Sequence, residues 1–236
     1  MPADLSTVLV PGLFCTPRLY AEQLPALWKF GPVTVADHRR GVSIEAMARR
    51  LLAQAPRRFG LVGISMGGYV ALEILRQEPE RVDRLALLCT SARADTPAQT
   101  QKRHAQIEMA KGGRMDQVVD DMFPLLFSPA RRHDESLRWV VKTMVEETGP
   151  EAFILQQNAI MGRIDSRPHL PAISCPTLVM AGEEDQLMPL ENATEMAEAI
   201  PNARLVKVPG CGHLATLDRP AEVTEALLEL WQEKKR

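Results

Sequence analysis

The sequence predicts an α/β fold: a mostly parallel central sheet of about six strands, helices on both of its faces, and a helical cap insertion. Two observations carry this expectation. Short apolar runs bounded by turn residues alternate with amphipathic helical stretches, the order that builds a parallel sheet through helical crossovers. The alternation stops between residues 92 and 169, where only helical stretches are found, and then resumes. The chain is therefore divided into a core of residues 1–91 and 170–236 and an insertion of residues 92–169.

Ser6–Val10 is the first expected strand, running into Pro11-Gly12, and Val33–Ala36 is the second. Ser43 offers a hydroxyl to the first free N–H groups of a helix, so Ile44–Gln54 is read as an amphipathic helix. Phe59–Ile64 is a short buried strand. It leads through Ser65 straight into a helix over Met66–Glu78, where Val70, Ala71, Ile74 and Leu75 recur at helical spacing and Pro79 ends the run. Leu85–Cys89 is a further buried strand. The insertion reads as helices over Gln99–Lys111, Met115–Phe123, Ser136–Glu147 and Glu151–Met161. Thr177–Ala181 and Arg204–Val208 are the last strands, separated by a helix over Leu190–Ile200. Pro220 opens a closing helix over Ala221–Lys234.

At 236 residues the chain is long enough for one well-buried core. Its 45% hydrophobic and 25% charged content is ordinary for a globular protein. A formal net charge of −2 gives no electrostatic basis for binding nucleic acid or an anionic membrane. Met1–Val10 lacks the charged start and long apolar run of a secretory signal, and no apolar run reaches the length of a bilayer span. Cys15, Cys89, Cys175 and Cys211 are scattered without metal-like spacing and are expected as free thiols. Cytoplasmic is the expected location. No metal and no organic cofactor is called for.

Three segments carry chemistry. Gly63-Ile64-Ser65-Met66-Gly67 fits Gly-x-Ser-x-Gly between a strand and a helix, a sharp turn that exposes the serine hydroxyl. A Cβ at Gly63 or Gly67 would crowd that turn. Gly182-Glu183-Glu184-Asp185 and Gly210-Cys211-Gly212-His213 follow the last two strands. A serine hydroxyl is a weak nucleophile until a base takes its proton, and an imidazole titrating near neutrality can take and return it. Of the five histidines, His213 has the placement for this, while His38, His104, His133 and His169 read as surface or structural.

With Ser, Asp and His in that order, the chain resembles the α/β-hydrolase superfamily in its compact, single-cap form, similar to bacterial carboxylesterases and enol-lactonases. The resemblance spans the whole length, strongly at the three motifs and weakly in the insertion. It implies a catalytic triad of Ser65, Asp185 and His213, with Asp185 in a segment like the family's Gly-x-x-Asp-x-x-x-Pro. Glu183 and Glu184 remain as adjacent alternatives for the acid. An oxyanion hole is implied from the backbone N–H groups of Met66 and, in the loop after the first strand, Leu13. The chain departs from the family at Pro11, where relatives carry His before the Gly. Asp37-His38-Arg39-Arg40-Gly41-Val42-Ser43 resembles the family's Asp-x-Arg-Gly-x-Gly-x-Ser segment with one glycine missing, and is given a turn-and-cap role.

The insertion is expected to form the substrate pocket. Phe14, Cys15, Met122, Phe123, Phe127 and Trp139 are its candidate lining residues, chosen because small-molecule sites are mostly apolar. The implied function is cleavage of small, mainly apolar carboxylic esters or lactones through an acyl-enzyme. The expected partner is that small-molecule substrate alone, with no nucleic acid and no membrane. The alternatives are a slow-turnover small-molecule sensor on the same fold, or a cofactor-free lyase or perhydrolase. The sequence leaves the oligomeric state open.

Overall fold

The computed structural model describes residues 5–233, so the expected end of the closing helix at Lys234 lies outside the described residues. Six strands form one sheet in the order β2-β1-β3-β4-β5-β6, and every neighbouring pair is parallel. They are β1 (Thr7–Val10), β2 (Val33–Val35), β3 (Phe59–Ile64), β4 (Val82–Leu88), β5 (Thr177–Gly182) and β6 (Ala203–Val208). Every residue of β1, β3, β4 and β5 is buried. Successive side chains point to opposite faces of a strand, so unbroken burial means that both faces of the sheet are covered. The two edge strands, β2 and β6, are partly exposed.

The helices of the first half are α1 (Leu24–Leu27), α2 (Ile44–Leu52) and α3 (Met66–Gln77). Ser43 caps α2 by accepting from the Ala46 N–H at 3.0 Å. Between β4 and β5 come α4 (Pro97–Lys111), α5 (Met115–Leu126), α6 (Glu135–Thr148) and α7 (Pro150–Met161). The chain closes with α8 (Leu190–Ala199), α9 (Ala215–Asp218) and α10 (Pro220–Gln232). Helix α3 packs on β1, β3 and β4, and α10 on β4 and β5; α4 packs on α5 and α7. Among the described residues no helix is long and apolar enough to cross a membrane.

Several boundaries differ from the sequence expectation by one to three residues, and three of them have a clear local reason. β4 begins at Val82, not Leu85, because its two charged residues find partners. Asp83 accepts from Arg58 Nε at 2.8 Å, and Arg84 Nε donates to the Leu230 carbonyl at the end of α10, also at 2.8 Å. Helix α4 begins at Pro97 because Thr96 and Gln99 form a reciprocal capping box. Helix α5 runs through Pro124 into its last turn, where the proline forfeits a single intrahelical bond.

The sheet order places a topological switch point between β1 and β3: from β1 the chain turns outward to β2, and from β3 it turns the other way to β4. In open parallel sheets the crevice at the carboxyl ends of such strands is where ligands bind.

All four thiols are unpaired; Cys15, Cys89 and Cys211 are buried and Cys175 is half-buried. Burial disfavours the thiolate, pushing Cys15 up to about 12 and Cys175 to about 11 from an ordinary 9.0. A thiol reagent at pH 8 is therefore expected to label the native protein slowly, Cys175 first, and the urea-unfolded chain completely within the same time. Because the folded values are raised, the associated stability is intact below pH 9.0 and is lost as the pH climbs toward 12, which alkaline denaturation would register.

Candidate active site

Ser65 follows β3 with φ 54° and ψ −119°. A residue with a side chain costs about 1 to 3 kcal/mol in such a region and stays there only when its surroundings hold it. Its N–H donates to the Leu88 carbonyl at 3.0 Å, and its carbonyl accepts from Thr90 Oγ1 at 2.7 Å and from the Gly68 N–H at 2.9 Å. The turn also demands close backbone approach. A Cβ on Gly67 would overlap the Val10 carbonyl, and one on Gly63 would overlap the carbonyl of Gly67.

His213 Nε2 lies 2.8 Å from Ser65 Oγ, and its Nδ1 lies 2.8 Å from Asp185 Oδ2. The second carboxylate oxygen, Oδ1, accepts from the N–H groups of Leu187 at 2.8 Å and Met188 at 2.9 Å. An ionised carboxylate can only accept, so Nδ1 carries the ring proton and Nε2 turns its lone pair to the serine hydroxyl. Glu183 and Glu184 are exposed, and Asp185 is the one of the three acids that reaches the imidazole. Such an arrangement can move a proton from the hydroxyl to the ring while the carboxylate steadies the resulting charge.

The histidine loop is fixed by Asp218, a buried residue that no sequence motif singles out. Its carboxylate accepts from the N–H groups of Gly212 at 2.6 Å and Ser128 at 2.8 Å, and from Ser128 Oγ at 3.1 Å. Next to it, the Leu214 N–H donates to the Leu126 carbonyl at 2.9 Å. The loop that carries His213 is thus tied to the end of α5.

The loop after β1 passes beside the serine, where a Cβ on Gly12 would sit 3.5 Å from Ser65 Cβ. Phe14 in this loop has φ 51°. Its N–H donates to Gln156 Oε1 of α7 at 2.9 Å, and its carbonyl accepts from Thr148 Oγ1 of α6 at 3.1 Å. The Pro11 and Gly12 carbonyls lie 2.9 and 3.1 Å from His38 Nε2, which faces two acceptors and so carries the proton. Burial lowers the pKa of His38, which keeps the ring neutral. Among the described residues no protein acceptor takes the N–H of Leu13 or of Met66. Both expected oxyanion donors are therefore unoccupied in the loop and at the start of α3.

A cavity of about 330 Å³ opens onto Ser65 and His213. Leu13, Phe14, Cys15 and Met122 lie on its wall. Phe123 and Phe127 do not: both are fully buried in the core, their rings 5.1 Å apart. Trp139, also chosen for the pocket, is 61% exposed, with the Arg18 guanidinium over its ring. These three differ from expectation because hydrophobicity serves packing as readily as a pocket wall. The wall also carries Gln99, Lys102, Arg103 and Gln106, all on α4, which hydrophobicity could not select. Among the described residues no cluster of three or more His, Cys, Asp or Glu is arranged to hold a metal ion.

A parallel six-stranded sheet with serine, aspartate and histidine on the loops after β3, β5 and β6 defines a class, that of the α/β hydrolases. The chain belongs to the α/β-hydrolase fold family, whose model, described as alpha/beta hydrolase fold, matches residues 42–220. It is 30% identical over 186 residues to the pimeloyl-[acyl-carrier protein] methyl ester esterase of Nitrosomonas europaea, covering 76% of this chain and 74% of that protein. A thermophilic esterase from Thermogutta terrifontis superposes with a TM-score of 0.86 at 28% identity, covering 97% of this chain and 90% of the other. The enol-lactonase from Burkholderia xenovorans shares the fold with a TM-score of 0.89 at 24% identity, covering 98% and 92% of the two chains.

Replacing Asp218 by Ala strands two buried backbone donors and a hydroxyl at the foot of the histidine loop. Asp218→Ala is expected to lower unfolding free energy by about 3 kcal/mol in urea titrations, whereas Asp218→Asn, which keeps an acceptor, should lose less.

Proposed function

We propose that the protein is a serine-dependent carboxylic ester hydrolase acting on small esters or lactones. The observation that carries this reading is the unbroken chain Ser65 Oγ–His213–Asp185 at the wall of a small-molecule cavity, beside two unoccupied N–H groups. The kinship with an esterase at 30% identity agrees with it.

In this reading Ser65 Oγ attacks the ester carbonyl carbon as His213 Nε2 takes the hydroxyl proton. The N–H groups of Leu13 and Met66 stabilise the negative charge that forms on the carbonyl oxygen. Asp185 holds the imidazole in the required tautomer and stabilises its cation. The tetrahedral adduct collapses to an acyl-serine, and His213 returns the proton to the departing alkoxide, which leaves as the alcohol. Water, giving a proton to the same nitrogen, then attacks the acyl-serine carbonyl, and as the second adduct collapses to the acid His213 passes that proton to Ser65 Oγ. Residues 92–169 act as the cap that shapes the cavity.

Gln156 is assigned a positioning role. Its side chain reaches no reacting atom, but it ties down the N–H of Phe14, the residue after the proposed donor Leu13. Among the described residues Gln156 Nε2 is buried without a partner, so it is the amide oxygen that holds the loop.

The reading is tested with chromogenic esters from acetate to decanoate. Wild type should show a preferred acyl length, and Ser65→Ala should lose at least roughly 10⁴-fold in kcat. Equal rates in the two proteins would refute it. Gln156→Leu should lower kcat roughly 10- to 100-fold with little change in KM, because the misplaced donor serves the transition state more than the bound ester. A KM effect alone would remove Gln156 from this role.

A further inference from the structure

The wall of the catalytic cavity is chemically two-sided. Leu13, Phe14, Met122, Leu126, Ile160 and Leu214 form an apolar side. Opposing chemistry comes from one helix: Gln99, Lys102, Arg103 and Gln106 of α4 recur at i, i+3, i+4 and i+7. That spacing is one face of a helix, the face that normally turns apolar residues toward an interior. Here all four residues are polar and two are cations.

The charges are not balanced within the cavity. Lys102 and Arg103 line it, and none of its lining residues is Asp or Glu. This positive wall stands in a chain of net charge −2, so it does not follow from overall composition. Arg103 is held in place, its Nε donating to Asp95 at 2.7 Å and its second arm to Gln157 Oε1 at 2.8 Å. Asp95 is shared with Arg163, so two guanidiniums meet one carboxylate and leave a surplus positive charge. Lys102 is exposed and, among the described residues, has no ion-pair or hydrogen-bond partner. Its ammonium is free to meet a ligand.

We propose that the cavity selects esters bearing a free carboxylate remote from the scissile bond, with the hydrocarbon between them on the apolar wall and the carboxylate at Lys102. Arg103 adds positive potential, and the Gln99 and Gln106 amides offer polar contacts. This substrate class rests on the ester-hydrolase reading and departs from the sequence expectation of a mainly apolar substrate.

Release of methanol from monomethyl adipate and from methyl hexanoate tests the proposal, since the two esters share leaving group and chain length and differ in one terminal carboxylate. Wild type should favour monomethyl adipate about fivefold or more in kcat/KM, and raised ionic strength should shrink the ratio. The ratio should fall toward one in Lys102→Met and below one in Lys102→Glu, with circular dichroism confirming that each variant is folded. A wild-type ratio of one or less, with methyl hexanoate turned over, would overturn the carboxylate site and leave the esterase reading standing. A ratio unmoved by Lys102→Glu would also overturn it. Turnover of neither ester by folded wild type would overturn both.

Discussion

Backbone strain at the ends of three adjacent strands is the constraint on which the site depends. The three residues other than glycine with positive φ among those described are Phe14, Ser65 and Cys89. They follow β1, β3 and β4, side by side in the sheet. Each is held by bonds from outside its own turn: Phe14 by Gln156 and Thr148, Ser65 by Leu88 and Thr90, Cys89 by the Met180 carbonyl at 2.8 Å. Left-handed backbone persists only where the rest of the structure over-determines it. The parallel sheet supplies that by fixing the three strand ends at neighbouring positions. A turn that relaxed would move the serine hydroxyl or the loop after β1 that passes beside it.

The helices between β4 and β5 belong to this constraint as much as the sheet does. Helices α7 and α6 bond to the N–H and carbonyl of Phe14, and Leu126 at the end of α5 and Ser128 beyond it hold both sides of the histidine loop, Ser128 through Asp218. Lifting the insertion as one body would break these bonds and release the two loops that frame the serine. Raising these helices as one body and keeping the supports of both loops therefore exclude each other. The cavity mouth is where a small molecule can pass without dismantling the site.

How much of this the sequence disclosed follows from the range of the interactions. Phe59–Ile64 and the Ser65 turn were legible because strand, glycine spacing and helix are contiguous. Asp185 and His213 were legible because each lies in a short glycine-bearing segment after a strand, and the exposed Glu183 and Glu184 were separable only in three dimensions. His38, Thr90, Gln156 and Asp218 were not, since each acts on a residue that only folding brings near. The departure at Pro11 shows the limit well. The histidine absent from the loop left its geometry open, and the structure supplies an imidazole from position 38 that binds the Pro11 and Gly12 carbonyls. At the pocket, apolar character misled: Phe123 and Phe127 pack the interior, while the polar face of α4 forms the wall.

On the proposed reading that face separates two tasks within one cavity. The groups proposed for bond cleavage sit on loops of the sheet and are bound to one another and to α5, α6 and α7. On α4, Gln99 bonds instead to Thr96, Arg103 to Asp95 and Gln157, and Gln106 to Gln157, and among the described residues none of these bonds reaches Ser65, His213 or Asp185. Replacing a side chain on this face changes the potential in the cavity while the strained loops keep their supports. Effects at sites without shared partners combine nearly additively, so selectivity on α4 can vary without disturbing the attacking group. On the proposed reading the chemistry sits on strand ends and the discrimination on α4, which meets α5 and α7 but sends no side-chain bond to the serine or histidine loops among the described residues.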